Sequence, residues 1–321
     1  MFLLGPVFLI VLTVATSSPI PESRIGLTPA VEPFAGVEYL LPTNVVPQKY
    51  VLLLKPNLSG DFSFSGEMTM TVQLTTTTNT ITFHTNDINV TSVTVTNIDT
   101  ASVVQVTNQV YLETYDFYTL TLENEVGVGN YEIYVAYTGY HKDDMRGFYR
   151  SSYVNSNDQK VWLASTHFEP VRARRAFPCF DEPALKAKFQ ISIAVPEGLH
   201  AISNMPVNSS AINDGEDGLD WYHFEETPMP MSTYLVAFVV SDFEKTSEDS
   251  VSIWHRPGLQ SQALYSASVE TTWRLEEQFV VREVHSAFSA DASEWSHPMT
   301  YDVYSPTEIG NIFDSISYAK G

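Results

Sequence analysis

The chain is poor in cysteine, in basic residues and in clustered histidine, and each scarcity closes off a class of function. A single cysteine, Cys179, stands in 321 residues, so no internal disulfide can form. Its neighbours Phe177, Pro178 and Phe180 predict burial, where a free cysteine behaves as a small hydrophobe. Lysine and arginine number 17 against 38 aspartates and glutamates, a net charge of −21. Nucleic acid needs a basic face to meet its phosphates, and an anionic lipid surface would be repelled. The histidines are His84, His141, His167, His200, His223, His255, His285 and His297, and no two lie three to five residues apart. A zinc-binding pair at i and i+4 on one helix face is therefore absent. Long apolar runs are missing too, with one short exception at the start.

That exception, Phe2–Ala15, carries no charge and falls short of the about 20 residues of a comfortable membrane span. Small residues at Ala15-Thr16-Ser17 offer a cleavage site, so residues 1–17 read as a secretory signal peptide, although a positive n-region is lacking. Three glycosylation acceptors fit an exported chain: Asn57-Leu-Ser59, Asn89-Val-Thr91 and Asn208-Ser-Ser210. The expected location is secreted, or the extracellular side of the plasma membrane.

What is present is ample material for a core. Hydrophobic residues make up 44% and aromatics 12%, which excludes wholesale disorder. Residues 18–38 are rich in proline and serine and read as a flexible leader. From Tyr39 alternation dominates. Met68, Met70, Val72 and Leu74 alternate with polar residues, as do Tyr118, Leu120 and Leu122; Ile133, Val135 and Tyr137; and Phe189, Ile191, Ile193 and Val195. Tyr234–Val240 is apolar throughout apart from its tyrosine and predicts a strand covered on both faces. Turn signals such as Ser65-Gly66 and Asn213-Asp214-Gly215 separate the runs. The pattern predicts a mainly β chain, a large antiparallel sandwich or saddle over residues 39–250. After Val251 the character changes. Trp273, Val280, Val284 and Phe288 share one face of an expected helix between Glu270 and Ala290.

The strongest motif is Ser165-Thr-His-Phe-Glu-Pro-Val-Arg-Ala-Arg-Arg-Ala-Phe-Pro-Cys-Phe-Asp-Glu-Pro183. It resembles the signature of the aminopeptidase N family of zinc exopeptidases (gluzincins), in the style of the insect-gut branch. Four further blocks match in order: Leu41 to Leu54, Gly139 through Met145-Arg146-Gly147-Phe148-Tyr149 to Ser151, Ile202 to Pro206, and Met231 to Phe238. The resemblance implies a saddle-shaped β domain at 39–250, followed by an incomplete helical remnant of a thermolysin-like catalytic domain at 251–321. It also implies removal of N-terminal residues from peptides by one zinc ion. A His-Glu-x-x-His helix and a Gly-x-Met-Glu-Asn loop would be needed, and neither is in this sequence. On this reading a block is missing between Glu270 and Thr271, because Thr271–Val280 and Phe313–Gly321 resemble segments beyond the zinc site.

By the same resemblance Glu169 holds the substrate's free α-amino group, since a carboxylate pairs with an ammonium. His167 stands in the same pocket, where the family usually has glutamine. Tyr318 matches the tyrosine that steadies the oxyanion. The plainer alternatives are that Glu169 only ends a strand and that Tyr318 only packs near a chain end. Zinc belongs to the intact family, and none is expected to bind this chain. The partners implied are peptides with a free N-terminus, glycans, and a membrane attachment in full-length relatives, with no nucleic acid. The chain then reads as aminopeptidase N-like and inactive as it stands. The alternative is a secreted glycosylated β-sandwich binding module or decoy without catalysis. Arg174-Arg175 and Asp181-Glu182 are expected to tie the central loop by ion pairs.

Because the apolar helix face at 273–288 lacks the partners the family would give it, it should be accessible. Limited proteolysis of the purified chain is expected to cut after about residue 250 and leave a resistant β core; mass spectrometry of the fragments checks this. Uniform resistance through Gly321 would contradict it.

Overall fold

A computed structural model describes residues 39–208, 218–248 and 251–260. The expected signal peptide and leader, the expected helix at 270–290, and Tyr318 lie outside them. Sixteen strands are described. They are β1 (Val45–Pro56), β2 (Ser63–Leu74), β3 (Thr78–His84), β4 (Asn89–Asn97), β5 (Ser102–Val104), β6 (Val106–Leu112), β7 (Phe117–Val126) and β8 (Gly129–Tyr140). There follow β9 (Gly147–Val154), β10 (Lys160–His167), β11 (Lys188–Pro196), β12 (His200–Ser203), β13 (Leu219–His223), β14 (Phe238–Ser241), β15 (Glu244–Glu248) and β16 (Val251–His255). The described helical elements are two short turns, Ala173–Arg175 and Thr233–Leu235, and Gln260 is helical as well.

One seven-stranded sheet runs β13-β11-β1-β2-β8-β4-β5. A four-stranded sheet, β12-β14-β10-β9, and a three-stranded one, β3-β7-β6, contribute to the same core. The alternation read from the sequence sets the faces. Met68, Met70, Val72 and Leu74 of β2 are all fully buried, as are Ile133 and Val135 of β8. Their polar neighbours Glu67 and Gln73 point outward and are exposed. Nearly all pairings are antiparallel. The exception is β1 with β11, which run parallel, Tyr50 opposite Phe189. A parallel pair needs a long crossover, and here it spans everything from β2 to the signature loop.

The centre is aromatic. Tyr50 stacks on Phe189 at 4.8 Å, and Phe148 meets Phe238 edge-on at 4.8 Å. Two glycines let the rings in. On facing strands Phe64 lies opposite Gly139 and Tyr137 opposite Gly66. A Cβ at Gly66 would fall 2.3 Å from the Tyr137 ring, and one at Gly139 2.4 Å from Phe64. Each ring thus covers the backbone its facing glycine leaves bare.

The run Tyr234–Val240 is not the single buried strand that its apolarity predicts. Thr233–Leu235 is a short helical turn, and β14 begins only at Phe238. The turn is fixed by a competing demand: the Thr233 hydroxyl donates to Asp181 Oδ1 at 2.5 Å. Cys179 is buried, as expected.

His141, just after β8, is buried, its ring given no side-chain hydrogen bond among the described residues and only a loose contact with the Phe148 backbone. It sits between Phe148 at 4.4 Å and Phe64 at 5.1 Å. Burial pushes its pKa down to about 4, and His84 is lowered for the same reason, with Arg174 adding to the effect. The unfolded chain takes its proton near pH 6.5 and the folded chain only near 4, so stability falls as pH drops through that window. For His141 alone the loss at pH 5 is about 2 kcal/mol. Urea unfolding at pH 7.5 and pH 5 should show this fall, and His141→Phe should remove most of the His141 share. An unchanged pH slope in the variant would refute it.

Candidate functional site

The signature loop between β10 and β11 forms the floor of the candidate site. Its backbone winds tightly: Arg172 N–H donates to Phe168 O at 2.7 Å, and Ala176 N–H to Ala173 O at 2.8 Å. Further on, Cys179 exchanges two backbone hydrogen bonds with His84 at the end of β3, at 2.8 and 3.0 Å. Phe180 N–H donates to the Tyr50 hydroxyl at 3.0 Å. The loop is therefore stitched to two strands of different sheets.

Its anchor is Arg174, 3% exposed. The guanidinium donates through Nε to Asp181 Oδ2 at 2.9 Å, through Nη2 to the Asp181 carbonyl at 3.1 Å, and through Nη1 to Asp116 Oδ2 at 3.3 Å. Asp116 also accepts from Asn86 Nδ2 at 2.6 Å and the Tyr111 hydroxyl at 3.2 Å. Burial, then the nearby Asp116 charge, pushes the Tyr111 hydroxyl up to about 12. Asp181 N–H donates to His84 Nδ1 at 3.2 Å. Nδ1 is thus the unprotonated nitrogen, in keeping with the lowered pKa. The neighbouring Arg175 reaches the other way, to Asp87 at 3.1 Å and Asp144 at 2.9 Å. Burial would raise Asp87, but its bond to Lys142, Lys142's charge and Arg175 outweigh burial and hold it below the usual carboxylate value. Among the described residues Glu182 forms no ion pair with an arginine, although the Arg174 charge acts on it. It accepts the Leu41 N–H at 2.6 Å, and burial raises its pKa.

Glu169 follows β10 by two residues. It is half-buried and joined to Pro170 by a cis peptide bond. His167 ends β10 opposite Gly147 of β9 and is exposed, its Nδ1 2.9 Å from the Met145 carbonyl. A carbonyl cannot donate, so Nδ1 carries the proton. Gly147, at φ 67, lets the hairpin lie on the loop: a Cβ there would be 2.6 Å from Arg175 Cβ. Beside this lies a groove of about 880 Å³ lined by Asp87, Glu113, Asp116, Asp144, Arg146 and Arg172, among others. The acceptors Asn57, Asn89 and Asn208 are all exposed, and Asn89 lies on the groove.

Among the described residues no three His, Cys, Asp or Glu side chains are grouped to hold a metal ion. Three of the described histidines are engaged elsewhere: His200 with Tyr222, His223 with Ser192, His255 with Thr246. The described donor set does not fit zinc, and no hydrolytic step is assigned to it. Sequence reasoning paired the two arginines with Asp181 and Glu182 and so found one of the pairs. It missed Asp116, Asp87, Asp144 and Thr233, which lie between 31 and 88 residues away from their partners and carry no local signal.

Asp181→Asn should leave Arg174 buried with much of its charge uncompensated and lower the unfolding free energy by about 3–5 kcal/mol. Arg175→Ala, at the more solvated rim, should cost about 1 kcal/mol. Urea midpoints of both variants check the ranking. Equal losses, or an Arg175→Ala protein that melts like its parent, would contradict it.

The family model for the Peptidase M1 N-terminal domain matches residues 46–235, and that for the Peptidase family M1 domain matches residues 252–321. The chain is 32% identical to aminopeptidase N of Bos taurus over 277 residues, 80% of this chain and 28% of that protein. It is 35% identical to aminopeptidase 2 of Candida albicans over 235 residues, 72% of this chain and 24% of that protein. It is 36% identical to aminopeptidase Ey of Gallus gallus over 250 residues, 72% of this chain and 25% of that protein. The chain thus spans about a quarter of the length of the curated relatives it matches. With its signature loop pinned between the sheets and this match over more than half its length, the chain belongs to the peptidase M1 family of aminopeptidase N-like proteins.

Proposed function

We propose that residues 39–250 are the amine-recognising β domain of an extracellular zinc aminopeptidase, with 251–321 belonging to its catalytic domain. We further propose that these 321 residues do not themselves hydrolyse peptides, because His-Glu-x-x-His and Gly-x-Met-Glu-Asn are absent from the sequence. The observation that carries the reading is the seat of Glu169. It lies half-buried between the end of a paired strand and a loop fixed by a buried ion pair. A carboxylate so placed suits a peptide's free α-ammonium. His167 stands beside it with Nδ1 committed to Met145, which leaves Nε2 to face a ligand. Tyr318 is proposed as the oxyanion-steadying residue of the whole enzyme. In that enzyme zinc would supply the activated water; the residues described here would hold and orient the amine end.

A second reading has its own support. All three acceptor asparagines are exposed, as a secreted glycosylated binding module requires. Glycans on Asn57, Asn89 and Asn208 are part of both readings.

The purified chain, incubated with zinc, should release no product from leucine p-nitroanilide and retain no stoichiometric metal. Binding of leucinamide, followed by NMR, should weaken about tenfold in Glu169→Gln. Stoichiometric zinc with turnover would overturn the inactive reading, and unchanged leucinamide binding would overturn the role of Glu169.

A further inference from the structure

In a chain with 38 acidic residues, two guanidiniums on the groove have no carboxylate partner among the described residues. Arg146, exposed at the β8–β9 loop, and half-buried Arg172 both line it. The other basic groups nearby are engaged, although the Arg150 Nε has no hydrogen-bond partner among the described residues. Arg174 and Arg175 hold aspartates, Lys142 holds Asp87, and Arg150 lies over the Phe62 ring at 4.4 Å. Arg172 comes within 3.5 Å of His167 Nδ1. That nitrogen already donates to Met145 O at 2.9 Å, so it cannot accept from Arg172. The contact leaves the guanidinium without an acceptor.

The two arginines are held together by the fold. Gly147 lets the strand that follows Arg146 lie on the Arg172–Arg175 turn, where a Cβ would be 3.4 Å from the Arg172 carbonyl. Both arginines line the one groove, and burial first, then the Arg146 and Arg175 charges, lower the pKa of Arg172, against Asp144. An arrangement of like charges gains most from a bound anion. Paired guanidinium forks match the two oxygens of a carboxylate. The groove also carries Asp87, Glu113 and Asp144; Asp144 accepts the Arg146 N–H at 3.2 Å and is held by Arg175, and these carboxylates would repel a polyanion and tolerate a single negative charge.

The geometry points to a carboxylate-binding site formed by Arg146 and Arg172, which takes an acidic side chain of a peptide lying in the groove. It is separate from the Glu169 amine seat and does not depend on it.

The test uses peptides whose N-terminus is blocked, so that Glu169 has no ammonium to hold. Binding of N-acetyl-glycyl-glutamyl-glycinamide and of its glutaminyl counterpart to the full chain is measured by NMR titration. The glutamyl peptide should bind about tenfold more tightly, and the difference should shrink in Arg172→Ala, in Arg146→Ala and at high salt. Lys245→Ala, an exposed cation on β15, should change nothing. If Arg172→Ala is destabilised, Arg146→Ala, exposed and outside the ladders, decides the matter. Equal affinity for the two peptides would overturn the proposal. So would an unaltered preference in Arg146→Ala, or tighter binding of a sulfated oligosaccharide than of the glutamyl peptide.

Discussion

The buried pair of Arg174 and Asp181 is the constraint on which the site depends. Its two members lie seven residues apart on one loop, yet their remaining partners come from elsewhere: Asp116 before β7, Thr233 before β14, and His84 at the end of β3. One ion pair thus ties the Thr233 turn to the adjoining ends of β3 and β7, which their own ladder already joins at His84 and Phe117. Its net worth to stability need not be large, since taking both charges out of water costs nearly what their attraction returns. Its consequence is positional. With each hydrogen-bonding group of Asp181 and most of Arg174 engaged, the loop has one arrangement, and Glu169 at its start inherits that arrangement.

A second constraint comes from size. The seven-stranded sheet must take Phe64 and Tyr137 on its inner face while keeping β2 and β8 within hydrogen-bonding distance. Gly139 and Gly66 solve this in matched register, and Gly147 does the same where the β9–β10 hairpin meets the loop. Alternation alone would have accepted any small residue at these positions. Ring against bare backbone is what excludes the rest, because an added Cβ would lie inside van der Waals contact.

Most of the architecture was legible because it rests on a local period. Met68 to Leu74 and Phe189 to Val195 declare their faces two residues at a time. The parallel pairing of β1 with β11 was not legible, since it joins Tyr50 to Phe189 across the intervening strands, and nothing in either strand's pattern states the direction of its neighbour. Tyr234–Val240 misled for a related reason. Its apolarity is real, but the Thr233 hydroxyl is drawn to Asp181, and that long-range bond turns the chain before β14. The site was half legible. The motif put Glu169 at the start of the loop and His167 at the end of β10, where their role is a proposal, and nearness in sequence gave the Arg174–Asp181 pair. The aspartates that complete the network come from other strands, where an aspartate in a turn looks like any other.

The charge balance ties the amine seat to the groove beside it. At −21 the chain's field draws cations toward its surface, the sign that the proposed amine seat would need. The same field penalises any anion, so an acidic side chain can be accepted only where cations are concentrated. Five basic residues, Lys142, Arg146, Arg172, Arg174 and Arg175, stand around or beside this groove out of 17 in the chain. Three of them are consumed by aspartates that shape the loop. The two left over are therefore the part of the cluster that structure alone does not require, and they stand next to the loop on which an incoming peptide's ammonium would be held. Discrimination between acidic and neutral side chains in the groove would then arise from Arg146 and Arg172, which hold no carboxylate among the described residues, and not from the acidic surface.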